Sequence, residues 1–172
     1  GLAAQPQRWE FAQDIGFVHY WWRQDYTAAA DWFLRASEIE GAPAWLKPLA
    51  AVTLAEGGNR SSSRQLWQQV YTGAEVDWLR SQARRRLQQL DAMDQLDQLR
   101  AMAGDYERRF GIALGSWQDL VRAGYLRAPP VDPEGHQYRL DAARASIALA
   151  ADSPINPLPI EPQRSPGGAL GR

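Results

Sequence analysis

The sequence predicts a mostly α protein in which antiparallel helix pairs stand in an array, followed by a small C-terminal β-hairpin and an extended Pro-rich tail. Three observations predict it. Up to about residue 110 the apolar residues recur at steps of three and four, the period of a helix with one covered face. Breakers interrupt that stretch at Gly41-Ala42-Pro43, at Gly57-Gly58-Asn59 and at Gly73. Beyond residue 137 the apolar residues alternate instead, and five of the eleven prolines fall in the last twenty residues. The expected organisation is a helical array over 1–110, a short helix with a β-hairpin over 111–150 as a capping segment, and an extended tail over 151–172.

Trp9 to Glu40 reads as two helices. Phe11, Ile15, Val18 and Trp22 recur at helical steps in the first, and Tyr26, Ala29, Phe33 and Ala36 in the second. Arg23-Gln24-Asp25 makes the turn, with Asp25 as the N-cap of the second helix. Gly41 suits the position after a helix end, and Pro43 cannot continue the helix. The next stretch repeats the plan. Trp45, Leu49 and Val52, with Leu46, Ala50 and Leu54, form one helix, in which Pro48 is tolerated near the first turn. Ser63, Leu66, Trp67, Val70 and Tyr71 form its partner, closed by Gly73.

A third segment starts near Ala74, with one stripe from Val76 through Leu79, Ala83 and Leu87 to Leu90. A second runs from Leu96 through Leu99, Ala103 and Tyr106 to Phe110. Leu90 and Leu96 are six residues apart, so the apolar face slips. A break near Asp91–Asp94 is expected, with Asp91 as a new N-cap and a third, degenerate helix pair as the result. Ser116 then caps a short helix, Trp117 to Ala123, closed by Gly124. Tyr138, Leu140, Ile147 and Leu149 alternate and predict the hairpin.

The run Tyr26, Ala29, Phe33, Ala36 resembles the second helix of a tetratricopeptide repeat (TPR), and Ile15-Gly16 with Tyr20 resembles its first. Ser63 and Trp67 take the small and aromatic positions of a looser second unit, with Ala50-Ala51 and Leu54 in its first helix. Ala29 and Ser63 are 34 residues apart, the TPR period. The resemblance covers about residues 9–73 and implies a TPR-like α-solenoid. Separately, Leu120, Gly124, Tyr125 and Leu126, then Pro130, Asp132, Pro133, Gly135 and Tyr138, resemble the Pro-x-Asp-Pro-x-Gly-x-x-Tyr region of type II secretion pseudopilins. That resemblance covers about residues 104–141 and implies a local fold, a long helix, a short helix and then the Pro-x-Asp-Pro-x-Gly-x-x-Tyr turn leading into a strand.

Composition narrows the function classes. Nineteen basic and twenty acidic residues leave a net charge of −1, which gives no reason to expect nucleic acid as a partner. All basic residues but Lys47 are arginine, as a GC-rich bacterial genome would produce. The absence of cysteine excludes disulfides, thiolate nucleophiles and Cys-type zinc sites. No apolar stretch reaches the roughly 18 residues of a membrane span. The chain opens Gly-Leu with no Met, which reads as a trimmed, processed or excised piece, so the missing signal peptide says nothing about the compartment.

No motif carries a reaction. His19 and His136 have no signalled partner and read as a packed histidine and an exposed hairpin residue. Ser61-Ser62-Ser63 lacks the elbow of a serine nucleophile and reads as helix capping. Asp132 and Glu134 are oxygen donors of the kind calcium takes, but two carboxylates are few for a site. Arg80, Arg84, Arg85 and Arg86 are followed by Asp91, Asp94 and Asp97, and read as a solvated or salt-bridged helix face. No catalytic residue, cofactor or metal is expected.

The expected function is non-enzymatic: a helical-repeat scaffold for protein–protein interaction. Its partner is itself or another protein, and self-assembly end to end into a filament, as a homo-oligomer or part of a larger assembly, is one form. In Trp21-Trp22 and Trp32-Phe33 one residue of each pair faces inward; its neighbour packs on an adjacent repeat or marks an interface. Trp21, Trp22, Trp32, Trp45 and Trp67 are therefore the candidate contact residues, with Pro154, Pro157, Pro159 and Pro162 of a tail that docks on its own groove or on a neighbour. The alternative is an extracytoplasmic envelope or secretion-associated subunit, on the strength of residues 104–141.

Overall fold

Six α-helices and a two-stranded antiparallel sheet make up the computed structural model, which describes residues 8–162. The mostly α class with a small C-terminal sheet is therefore as the sequence predicts. Two units form among these residues. One runs to Arg84 and takes in the segment from Pro159; the other is Arg85–Leu158. These limits differ from the divisions expected at 110 and 150.

In the first unit, α1 (Trp9–Val18) runs into one π-turn, His19–Arg23. Gln24 reverses the chain in the left-handed region at φ +50°. Asp25 then caps α2 (Tyr26–Ser37), its Oδ1 accepting the Ala28 N–H at 3.0 Å. Helices α3 (Leu46–Glu56) and α4 (Arg60–Gly73) follow, and each helix packs on the next in chain order. The cap of α4 is Asn59, whose Oδ1 accepts the Ser62 N–H at 3.1 Å. This corrects the reading of the serine run as the cap. Ser63 is buried instead and donates its hydroxyl to the Ala51 carbonyl at 2.7 Å, tying α4 to α3.

The core of this unit is built where small residues let helices close up. Ala29, Phe33, Ala36, Leu46, Ala50 and Ala51 have no exposed surface, and Trp67 has almost none. On α1 the inward face is Ala12 and Gly16. A β-carbon on Gly16 would stand 2.5 Å from the Phe33 ring, so this contact requires glycine. Phe17 meets Phe33 edge-on at 5.0 Å. Tyr20 donates to Glu56 Oε2 at 2.7 Å; this hydrogen bond, with burial, pushes the phenol up to about 12.

Helix α5 (Asp77–Phe110) is continuous for 34 residues. The expected break at Asp91–Asp94 is absent, and with it the third helix pair. Between Asp77 and Ala103 the helix has neither glycine nor proline and is rich in Leu, Ala, Arg and Gln, so the backbone has no reason to stop. The six-residue step between Leu90 and Leu96 is bridged by Ala92 and Met93, which are also buried. The slip records a change of covered face rather than a break.

The second unit packs Ala92, Leu96, Leu99 and Tyr106 of α5 with Leu114, Trp117, Leu120, Tyr138, Ile147, Leu149 and Ile155. Asp119 Oδ2 accepts the N–H groups of Gly115 and Ser116 and so starts α6 (Trp117–Arg122). Strands β1 (Arg139–Asp141) and β2 (Ser146–Ala148) pair with Leu140 opposite Ile147. The Trp117 indole donates to the Tyr138 carbonyl at 2.8 Å.

Candidate functional site

Small residues fill the inward face of α1, so its large ones are turned out. Phe11 is 67% exposed, Trp21 68% and Trp22 85%; Ile15 and Val18 are also exposed. This overturns the expectation that one of Trp21 and Trp22 faces inward: neither does, because Ala12, Gly16 and Phe17 already make the contact with α2. The stripe Phe11, Ile15, Val18, Trp22 is present as expected, but as a surface. Phe11, Ile15 and Val18 on α1 and Trp21 and Trp22 on its π-turn together leave on the order of 500 Å² of apolar side chain open to water.

A groove of about 550 Å³ adjoins the patch between α1 and α2. Phe11, Ile15, Trp32 and Ile39 give it apolar walls, and Arg8, Arg35 and Glu38 are charged side chains in its lining. Trp32 is half-buried, with the Arg35 guanidinium 4.9 Å from its ring centroid. Phe33 beside it is fully buried, as expected of that pair. The Arg8 guanidinium lies 5.9 Å from the Phe11 ring centroid and 3.5 Å from the Glu10 carboxylate.

The other tryptophans lie elsewhere. Trp45 is 48% exposed and meets Trp9 edge-on at 6.3 Å. Trp67 is 1% exposed and belongs to the core, so it leaves the set of contact residues. The spacing that placed it on a helix stripe does not separate a core tryptophan from a surface one. The inverse signal was present on α1, where Ala12 and Gly16 mark the covered side and leave the aromatic side open.

The Pro-rich segment is held by its own chain as far as it is described. Gln89 Nε2 donates to the carbonyls of Ile155 and Pro157 at 2.7 and 2.9 Å, and Arg85 Nη2 to that of Asn156 at 2.6 Å. Ile155 is buried in the second unit's core, while Pro154 and Pro157 are exposed. Pro159 is half-buried and Pro162 exposed, flanking Glu161, which takes a two-pronged ion pair from Arg60 at 2.6 and 2.7 Å. Residues 163–172 of the tail lie outside the described residues, as do 1–7.

The chemical candidates resolve into structural roles. Asp132 Oδ1 accepts the N–H groups of Glu134 and His136, and Oδ2 accepts the Ser153 hydroxyl at 2.6 Å. Burial works to raise its pKa, but these hydrogen bonds outweigh it and hold the carboxyl below the ordinary aspartate value. The carboxylate is thus a lock for the turn. Glu134 accepts from Gln88 Nε2. Among the described residues no group of three or more His, Asp or Glu converges as a metal site. The Arg run is divided: Arg80 donates to the Ala74 carbonyl at 2.6 Å and Arg85 holds the tail.

The class the fold defines is a mostly α array of successively packed helices with a small antiparallel sheet. No family model matches this chain, and no curated protein or solved structure shows significant similarity to it. Among the described residues no helix is long and apolar enough to cross a membrane.

Proposed function

We propose that the chain is a non-enzymatic, TPR-like scaffold that associates through the outer face of α1. The single observation that carries this reading is that Phe11, Trp21 and Trp22 are each about two-thirds exposed or more on α1 and its π-turn. Keeping such a surface in water is costly, and covering it releases on the order of 25 cal/mol per Å² of apolar area. The TPR reading is supported by the buried small and aromatic positions Ala29, Phe33, Ala36, Ser63 and Trp67 and by the seat of Phe33 on Gly16. In that reading the outer face of α1 is one that another helix covers. Light scattering coupled to size exclusion, run at rising loads, tests it: the apparent mass should rise with load. A single-chain mass at every load refutes self-association.

A second reading, an extracytoplasmic envelope or secretion-associated subunit, has one observation in its favour. A long helix, a short helix, the Asp132-locked loop and a strand follow in the order the pseudopilin resemblance implies. Expression of the complete gene with a compartment reporter decides it: export supports the reading, and retention in the cytoplasm refutes it.

A further inference from the structure

The segment that closes the second unit sits on donors that other groups already hold in place. Arg85 and Gln89 stand one turn apart on α5 and between them take four consecutive carbonyls. Gln89 Nε2 donates to those of Ile155 and Pro157 at 2.7 and 2.9 Å, and Arg85 to those of Pro154 and Asn156 at 3.4 and 2.6 Å. The Gln89 side chain is fully buried, and its Oε1 accepts from Arg86 Nη1 at 3.3 Å, which fixes the direction of its amide. Asp132 is fixed in the same way. Its Oδ1 is taken by two N–H groups of its own turn, which leaves Oδ2 to receive the Ser153 hydroxyl. Ile155 is the buried apolar anchor of the segment, whereas Pro154 and Pro157 are exposed.

The segment, for its part, keeps its own shape. The Asn156 N–H donates to the Ser153 carbonyl at 3.2 Å. Asn156 Nδ2 and the Ser153 N–H both donate to the Ala150 carbonyl, at 2.7 and 3.1 Å. Receptor and segment are thus each held internally, and four carbonyls, one hydroxyl and one buried side chain join them. None of these contacts needs the covalent link between the two. Proline has no N–H to give, so a Pro-bearing segment is recognised through its carbonyls, and side-chain amide and guanidinium donors are the groups that read them. We infer that Arg85 and Gln89 of α5, with Asp132, form a peptide-binding site for a Ser-Pro-apolar-Asn-Pro turn. The chain's own residues 150–158 fill it in cis, and the same turn of a second copy fits it in trans. This exchange is separate from association through the outer face of α1.

A tethered segment competes with a free one at an effective concentration on the order of 1 mM, and that fixes the test. A labelled peptide of residues 149–158 is titrated against the parent chain and against Ile155→Asp. The variant spoils the anchor of the chain's own segment and keeps Arg85, Gln89 and Asp132. Fluorescence anisotropy should show saturable binding to Ile155→Asp, at least about tenfold tighter than to the parent. Adding Gln89→Leu to that variant should weaken binding about tenfold, and a peptide carrying the Ile155→Asp change should not bind. Circular dichroism checks that the variant is folded. A second measurement uses the parent alone, labelled with nitrogen-15 and titrated with unlabelled peptide. The Asn156 side-chain amide signal should move as the chain's own segment is displaced, half-way at about 1 mM peptide. No binding to a folded Ile155→Asp chain, no displacement in the parent at about 10 mM peptide, or binding that ignores Gln89→Leu would each overturn the inference.

Discussion

At Gly16 the first helix has no room for a β-carbon, because the edge of the Phe33 ring occupies that space. Alanine there must push a fully buried ring aside. Gly16→Ala should lower stability by about 1–3 kcal/mol in urea denaturation, despite alanine's better helix propensity. Asp132 gives a second prediction at this scale. Its folded pKa is depressed, so its contribution to stability is full above the unfolded aspartate value and is lost as pH falls through the folded one. Asp132→Asn should cost about 1–3 kcal/mol at neutral pH, and the gap to the parent should narrow on acidification below about pH 4. Denaturation curves collected across that window check the sign. The residue types that fill these positions were legible: a glycine in the first helix and an Asp-Pro-x-Gly turn. Their partners, Phe33 and Ser153, lie 17 and 21 residues away and no local pattern names them.

At the scale of the element, helix pairs, caps and the hairpin were readable because each is encoded locally. Arg23-Gln24-Asp25 sets the first turn and alternation from Tyr138 the strands, whereas the cap at Asn59 is masked by the serine run that follows it. Helix α5 departs from its sequence reading where the apolar period slips, since one sequence stripe cannot show a helix whose covered face changes along its length. The tail departs for a related reason. Its prolines leave carbonyls without local donors, and the donors that meet them, Arg85 and Gln89, sit about 70 residues upstream. Gln89→Leu keeps the bulk but strands the Ile155 and Pro157 carbonyls. It should cost about 2 kcal/mol and open the 153–158 segment to limited proteolysis, while helical circular dichroism holds. Equal cleavage of variant and parent would mean that Gln89 does not hold the segment.

At the scale of the molecule, what stands out is the mismatch between a well-covered interior and the bare outer face of α1. Phe33, Leu46, Trp67 and Leu90 are sealed, while Phe11 and Trp22 are largely open to water. The sequence showed the stripe on α1 but not its direction, because a helical period reports that residues share a face and not what covers it. The face is the seat of the proposed function, and its removal should leave the fold intact, since none of its residues belongs to the core. The most direct measurement is sedimentation equilibrium of the intact chain beside a Phe11→Asp/Trp22→Asp variant, with helical circular dichroism as the folding control. The parent should shift from one chain to two as concentration rises, and the variant should stay at one chain with the same helical signal. A parent that never exceeds one chain, or a variant that associates as the parent does, would contradict the account.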